Sequence, residues 1–364
     1  MLVNTIELVR EARRRGVAIG AFNTYNLELT RAIVVAAEKL GQPTILQLGV
    51  QAIRSGGEPL AMATLAAARV SRVPVAVHLD HCSDIGLIET CFAWGLSSAL
   101  ADGSRLPFAE NIAFTKRAVE LAARHGGTIE SELGYLAGTE DGITVEEIES
   151  SLTDPAQAHE FIAATGAAML AVSIGNVHGY VPNPPPLDFE RLAQIAAQVD
   201  VPLILHGASG ISREDIQRAI RMGIAKLNIN TEVRTAFLKA IASWGVRIGP
   251  EPDLRKKGQD LLDLMQEAIA AAQDVVEHRL EKRLRARKGG GRVVWGGDAC
   301  VAHDGRAGEG TRATQASPPL IPATPAPTGL TMPSPQSPFS ARFNWMLLSQ
   351  IALPDDGASS RQTD

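Results

Sequence analysis

The stretch 74-PVAVHLDHCSD-84 decides how this chain is read. Its apolar run has the composition of a buried strand, yet it finishes on His78, Asp80 and His81, three titratable side chains within four positions. A strand that ends this way belongs to a sheet whose edge does chemistry, so the reading turns on how many similar strands surround it and what stands at their ends.

Working outward, short apolar runs alternate with longer segments of helical periodicity from the N-terminus to about residue 288, which signals repeated strand–helix units around a parallel sheet. The candidate strands are 17-VAIGAFN-23, 43-PTILQLG-49, 74-PVAVHLDH-81, 97-SSALADG-103, 127-GTIESELG-134, 167-AAMLAVSIG-175, 202-PLILHGAS-209 and 225-AKLNIN-230. Segments such as 28-ELTRAIVVAAEKLG-41, 110-ENIAFTKRAVELAARHG-126 and 188-DFERLAQIAAQV-199 read as helices between them. Asp154-Pro155 has the form of an N-cap followed by proline, and Ser212 with Asp215 that of a capping box. Eight units in under 250 residues predict an α/β fold, a (β/α)8 TIM barrel. The competing architecture, an open doubly wound sheet, wants a GxGxxG turn after a strand, and none occurs.

A charged segment over about 254–287 is predicted to close the domain as a C-terminal helical extension, with a face for a partner subunit. Beyond it the composition changes. Residues 289–364 open with glycine, and 311–340 is mostly Pro, Thr, Ser and Ala, too poor in apolar surface to offset chain entropy. The expected organisation is therefore a barrel domain over 1–288 and a low-complexity, disordered tail over 289–364.

Bulk properties narrow the function. A net charge of -5 and a pI near 6.0 give no electrostatic footprint for nucleic acid or a membrane surface, and no eighteen-residue apolar run predicts a spanning helix. Three cysteines at irregular spacing fit a reducing compartment, and the N-terminal stretch has no signal-peptide apolar region, so a cytoplasmic protein is expected.

In a barrel of this kind the reactive groups stand at the C-terminal strand ends. There the sequence places Asn23, His78, Asp80, His81, Asp102, Glu132, His206, Asn228 and Asn230, with His178 just past the sixth strand; the N-terminal ends carry nothing comparable. His81, His178 and His206 come from separate strand ends and can converge on one Zn2+ or similar divalent ion. Each alone also reads as a hydrogen-bonded core or surface histidine; by contrast His125, His159, His278 and His303, in helical or tail contexts, read as ordinary exposed residues. Asp80, beside a candidate ligand, suits proton transfer to a bound substrate or support of that ligand. On a regular strand Asp80 and His81 would face opposite ways. His78 reads as a buried residue orienting its neighbour. Asp102 and Glu132 are hard oxygen donors for a second cation, or in the case of Asp102 a helix cap. Two loops, 206-HGASG-210 and 228-NINT-231, lie where this barrel holds phosphate.

Taken in order, 20-GAFNTYNLE-28, 78-HLDHCSD-84, 102-DGSRLPFAENI-112, 130-ESELG-134, 203-LILHGASG-210 and 226-KLNINTE-232 resemble the class II, metal-dependent fructose-bisphosphate aldolases, particularly their tagatose-bisphosphate aldolase-like branch. The resemblance covers residues 1 to about 240. It implies that His81, His178 and His206 hold a catalytic zinc ion, that Asp102 and Glu132 serve a second divalent or a monovalent cation, and that Asp80 is the proton donor at the C4 oxygen. Glu140, in 138-GTEDG-142, matches a loop glutamate that moves the proton at the dihydroxyacetone-phosphate carbon. Gly179, Gly207, Ala208, Ser209, Asn228, Ile229, Asn230 and Thr231 match positions that hold dihydroxyacetone phosphate, with Asn23 beside them. The implied substrate is a small phosphorylated sugar, and the implied assembly a homo-oligomer, dimer or tetramer. No Schiff-base lysine is required, and Lys226, in a predicted strand, is not catalytic in this pattern. A metal-dependent barrel hydrolase and a non-catalytic sugar-phosphate-binding subunit are the alternatives. The first commonly draws on an HxH pair in the first strand, absent from 17-VAIGAFN-23.

Overall fold

The computed structural model describes residues 1–135, 152–179, 186–251 and 253–282, all within one compact unit. Glu140 and the tail over 289–364 lie outside the described residues. The chain runs α1 (Thr5–Arg15), β1 (Ile19–Asn23), α2 (Leu27–Leu40), β2 (Thr44–Gly49), α3 (Val50–Val70), β3 (Val75–Cys82), α4 (Ile85–Ala93), β4 (Ser98–Ala101) and α5 (Phe108–Arg124). It continues through β5 (Thr128–Leu133), α6 (Pro155–Thr165), β6 (Met169–Val172), α7 (Phe189–Gln198), β7 (Leu203–Leu205), α8 (Arg213–Arg221), β8 (Ile224–Ile229), α9 (Thr231–Ile248) and α10 (Leu261–Lys282). The strands form one closed parallel barrel in sequence order, β8 pairing with β1 through Ile19 and Lys226, Ala21 and Asn228. This is the expected (β/α)8 architecture.

Local signals in the sequence set the helix starts. Asn4, Asn26, Asp84, Asp154, Asp188 and Ser212 each accept a first-turn backbone N–H through the side chain. Pro155 follows its cap at the first helical position, where a missing N–H costs nothing. The strands are shorter than their apolar runs: β4 stops at Ala101, β6 at Val172 and β7 at Leu205, because the chain then leaves the ladder to build loops at the barrel mouth. The closing helix begins at Leu261 rather than near 254. Gly258, at φ +85°, interrupts the charged segment before it.

Two apolar layers fix the barrel. One lies between sheet and helices. The other fills the N-terminal end, where Ile6, Leu8, Val9 and Ala12 of α1 pack on Ile19, Ile45, Met169 and Ile204 from four strands. Val9, Ile45, Met169 and Ile204 are fully buried, and each such side chain stabilises the fold by roughly 1.5–3 kcal/mol. The helix therefore plugs one end of the barrel and leaves the other open. Above this floor the two-residue period of the strands keeps His78 with Asp80, Glu130 with Glu132, and Lys226 with Asn228 on the inner face, so polarity rises toward the C-terminal mouth.

The closing helix α10 buries Ala268, Ala272, Val276 and Leu280 against α2 and α9, and Lys39 of α2 bonds Glu277 at 2.7 Å. The apolar stripe of this charged helix is thus used within the chain. Among the described residues no helix is long and apolar enough to cross a membrane.

Candidate metal centre

The end of β3 departs from a regular strand. His81 has φ +42°, a left-handed conformation that non-glycine residues seldom adopt, and the register against β4 shifts between Leu79 and Cys82. This irregularity removes the expected conflict between neighbours. Asp80 keeps its inward position, while His81, one residue on, is turned into the same mouth rather than to the opposite face.

There His81 meets His178 and His206. The three residues can each offer a ring nitrogen with all three atoms within 4.8 Å of one another. His206 Nδ1 stands 2.8 Å from His81 Nε2. Two tetrahedral Zn–N bonds would set such nitrogens about 3.3 Å apart, so the donor set fits a zinc ion with small adjustments. A second group shares His81 with Asp102 and Glu132, again within 4.8 Å. His81 Nδ1 lies 2.8 Å from Asp102 Oδ2, and the buried Glu132 Oε2 has no hydrogen-bond partner among the described residues. A buried carboxylate oxygen without a donor is suited to a cation.

The His206 ring is held from behind. His206 Nε2 lies 2.8 Å from Glu130 Oε1, and Lys226 Nζ donates to Glu130 Oε2 at 2.7 Å, with all three side chains fully buried. A carboxylate so paired accepts, so Nε2 carries the proton and Nδ1 presents its lone pair to the mouth. Asp102 accepts from the N–H and hydroxyl of Ser104 as well as facing His81, and α5 takes Pro107 as its N-cap, so Asp102 caps no helix.

Charge and burial set the protonation states. Burial pushes the pKa of His206 and His78 well below the ordinary value, helped by the charges of neighbouring His81 and Lys226. Burial and His81 lower His178 to about 3, the neutral form a metal needs. Burial works against a charged His81, but Asp80, Asp102 and Glu132 outweigh it and raise its pKa well above normal. Burial and Asp102 raise Glu132 well above the usual carboxylate range. For Asp102 itself burial is outweighed by the hydrogen bond and charge of His81, and its pKa is held far down.

Asp80, 2% exposed, is gripped at both oxygens: Asn23 Nδ2 donates at 2.8 Å and Asn228 Nδ2 at 3.3 Å. Burial raises its pKa, but His81, His206, Lys226 and the Asn23 bond overcome that and keep it lowered. The orienting groups are these two amides, not His78, which instead bonds Ser98 Oγ at 2.7 Å and faces Glu130.

The two candidate phosphate loops lie at the same mouth. Gly207 has φ +61°, and a Cβ there would stand 2.1 Å from the Val177 carbonyl oxygen, so only glycine lets this loop approach the segment carrying His178. The Ala208 N–H is committed to the Asn228 carbonyl at 3.0 Å, tying one loop to the other. Ile229 buries its side chain in the core, leaving only its backbone for a ligand. Asn230 accepts from the Tyr25 hydroxyl at 3.0 Å and gives α9 no side-chain cap, so the first-turn N–H groups beginning at Thr231 face the mouth without one. Gly179, at φ +86°, ends the described segment after His178.

Sequence reasoning missed Glu130 and undervalued Lys226. The signal was present, since Glu130 and Glu132 share a strand face at a spacing of two. Of the histidines in helical contexts, His125 stacks on Phe92, and the exposed His159 bonds the Gln198 carbonyl.

The family model for fructose-bisphosphate aldolase class-II matches residues 3–288. A fructose-bisphosphate aldolase from Thermus caldophilus is 40% identical over 304 residues, covering 77% of this chain and 97% of the relative. Among solved structures, the YdjI aldolase of Escherichia coli K12 is 32% identical at a TM-score of 0.67, covering 78% of this chain and 97% of its own.

Proposed function

Because this chain belongs to the class II fructose-bisphosphate aldolase family and is thereby an aldolase, a carbon–carbon lyase, we propose the reaction it catalyses. It cleaves a ketose 1,6-bisphosphate, fructose or tagatose, reversibly to dihydroxyacetone phosphate and glyceraldehyde 3-phosphate, in the cytoplasm. The observation that carries this reading is the triplet of ring nitrogens on His81, His178 and His206, with the last fixed by Glu130 and Lys226.

These three histidines would hold a zinc ion. When bound, it supplies Lewis-acid polarisation of the substrate carbonyl, which lets the electron pair released by carbon–carbon cleavage spread onto oxygen. Asp80 takes the proton from the C4 hydroxyl in cleavage and returns it in synthesis. Its two amide partners hold the carboxylate aimed while leaving it ionised. Gly207, Ser209 and the backbone from Asn228 to Thr231 receive the phosphate of the dihydroxyacetone half, and Asp102 with Glu132 offers a second cation position. The proton at the dihydroxyacetone-phosphate carbon is assigned to Glu140, outside the described residues.

The experiment is a coupled cleavage assay with both ketose bisphosphates on purified protein, with metal analysis of the same sample. Cleavage is expected to disappear with a chelator and return with Zn2+. Full turnover in metal-free protein would refute the reading.

A further inference from the structure

The residue after the second phosphate loop, Glu232, has no part in the chemistry above. Its carboxylate nevertheless reaches into the first loop: Oε1 accepts the Gly210 N–H at 2.9 Å, across 22 residues of sequence. The same carboxylate is gripped by Arg279 of α10, whose Nε meets Oε2 and whose second guanidinium nitrogen meets Oε1, a two-pronged pair. Arg279 is 2% exposed and is among the largest fully buried side chains in the protein.

Burying an arginine is costly, and α10 does not need it for packing, since Val276 and Leu280 on either side already supply the apolar contact. A methionine would fill the same position. Glu232 by itself would be an ordinary first-turn acid complementing the helix dipole. Beside loops that receive a phosphate dianion, however, an unpaired carboxylate would repel the ligand.

We propose that Arg279 is a positioning residue for phosphate recognition: it clamps Glu232 so that the carboxylate holds Gly210 in place, and it cancels the negative charge that Glu232 would otherwise present to the ligand. The closing helix thereby becomes part of the binding apparatus. This inference rests on the reading of Gly207–Ser209 and Asn228–Thr231 as the phosphate site.

The test is calorimetric titration of the full-length protein with inorganic phosphate. Arg279→Met should weaken phosphate binding by about tenfold and raise KM for the bisphosphate to match, with kcat within about twofold. Adding Glu232→Gln to that variant should recover most of the loss, because the uncompensated charge is gone while the amide oxygen still accepts from Gly210. A purely structural role for Arg279 would give a loss the second substitution does not repair, and that result, or unchanged phosphate affinity in Arg279→Met, overturns the inference. If Arg279→Met fails to fold, Glu232→Gln alone decides: binding at least as tight as wild type supports the clamp, and weaker binding refutes it. Wild-type protein that binds phosphate but cleaves neither bisphosphate would sink the proposed reaction and not the clamp. Wild-type protein that binds no phosphate would sink the clamp.

Discussion

His206 Nε2 and Glu130 Oε1 lie 2.8 Å apart in the barrel interior, with neither side chain exposed. The pair commits one imidazole nitrogen to the protein so that the other is left for the mouth. Glu130→Gln should weaken zinc binding by about 10–100-fold, because the amide supports the ring less strongly, while turnover recovers at saturating metal. Metal titration against a chromogenic chelator reads this directly.

Lys226 is the other partner of that carboxylate. Lys226→Met leaves Glu130 buried with its charge uncompensated, at a cost of about 3–5 kcal/mol in a urea denaturation series. A much smaller loss would mean that His206 alone balances Glu130.

Asp80 is held by two amides and stands outside both candidate ligand groups. Asp80→Ala should therefore retain the metal content of the wild type and lose on the order of 10²–10⁴ in turnover. An unchanged rate with bound metal would remove Asp80 from the chemistry.

Acid should destabilise the chelator-treated protein. His178 titrates at about 3 when folded against an ordinary value of 6.5, so as pH falls through 6.5 the unfolded chain takes up a proton that the folded one refuses. His78 and His206 act in the same direction. His81 acts oppositely, its raised pKa giving stability that is full below 6.5 and lost as pH climbs through the folded value. Between pH 6.5 and 4 His81 is protonated in both states and adds no slope, and Glu132, whose folded pKa is raised, is the one group opposing the three histidines there. Denaturant midpoints should therefore fall between pH 6.5 and 4, and His178→Gln should make that fall shallower.

Cys82 and Cys91 are buried, and burial pushes their thiols up to about 11 and about 12. Neither should react with iodoacetamide at pH 8 in the native protein, and both should react in guanidinium. Peptide mapping after labelling distinguishes the two states.

Legibility in the sequence followed from whether a signal was local. Eight apolar runs, the caps at Asp154 and Ser212 and the strand-end histidines were readable because periodicity and capping act over a few residues. The lengths of β4, β6 and β7 were not, because a strand stops where its neighbour no longer pairs with it, and that neighbour is distant in sequence.

By itself, then, the amino-acid order determined the barrel, the end of it where titratable residues gather, and the residue types found there. Tertiary structure alone decided that His81 turns through a left-handed conformation to share the mouth with Asp80, and that Glu130 and Lys226 brace His206. It also decided that Arg279 reaches Glu232 across 47 residues. Such pairings depend on distances between side chains that the chain brings together only when the sheet closes. Alternation within one strand fixes which way a residue faces; it says nothing of what will stand opposite.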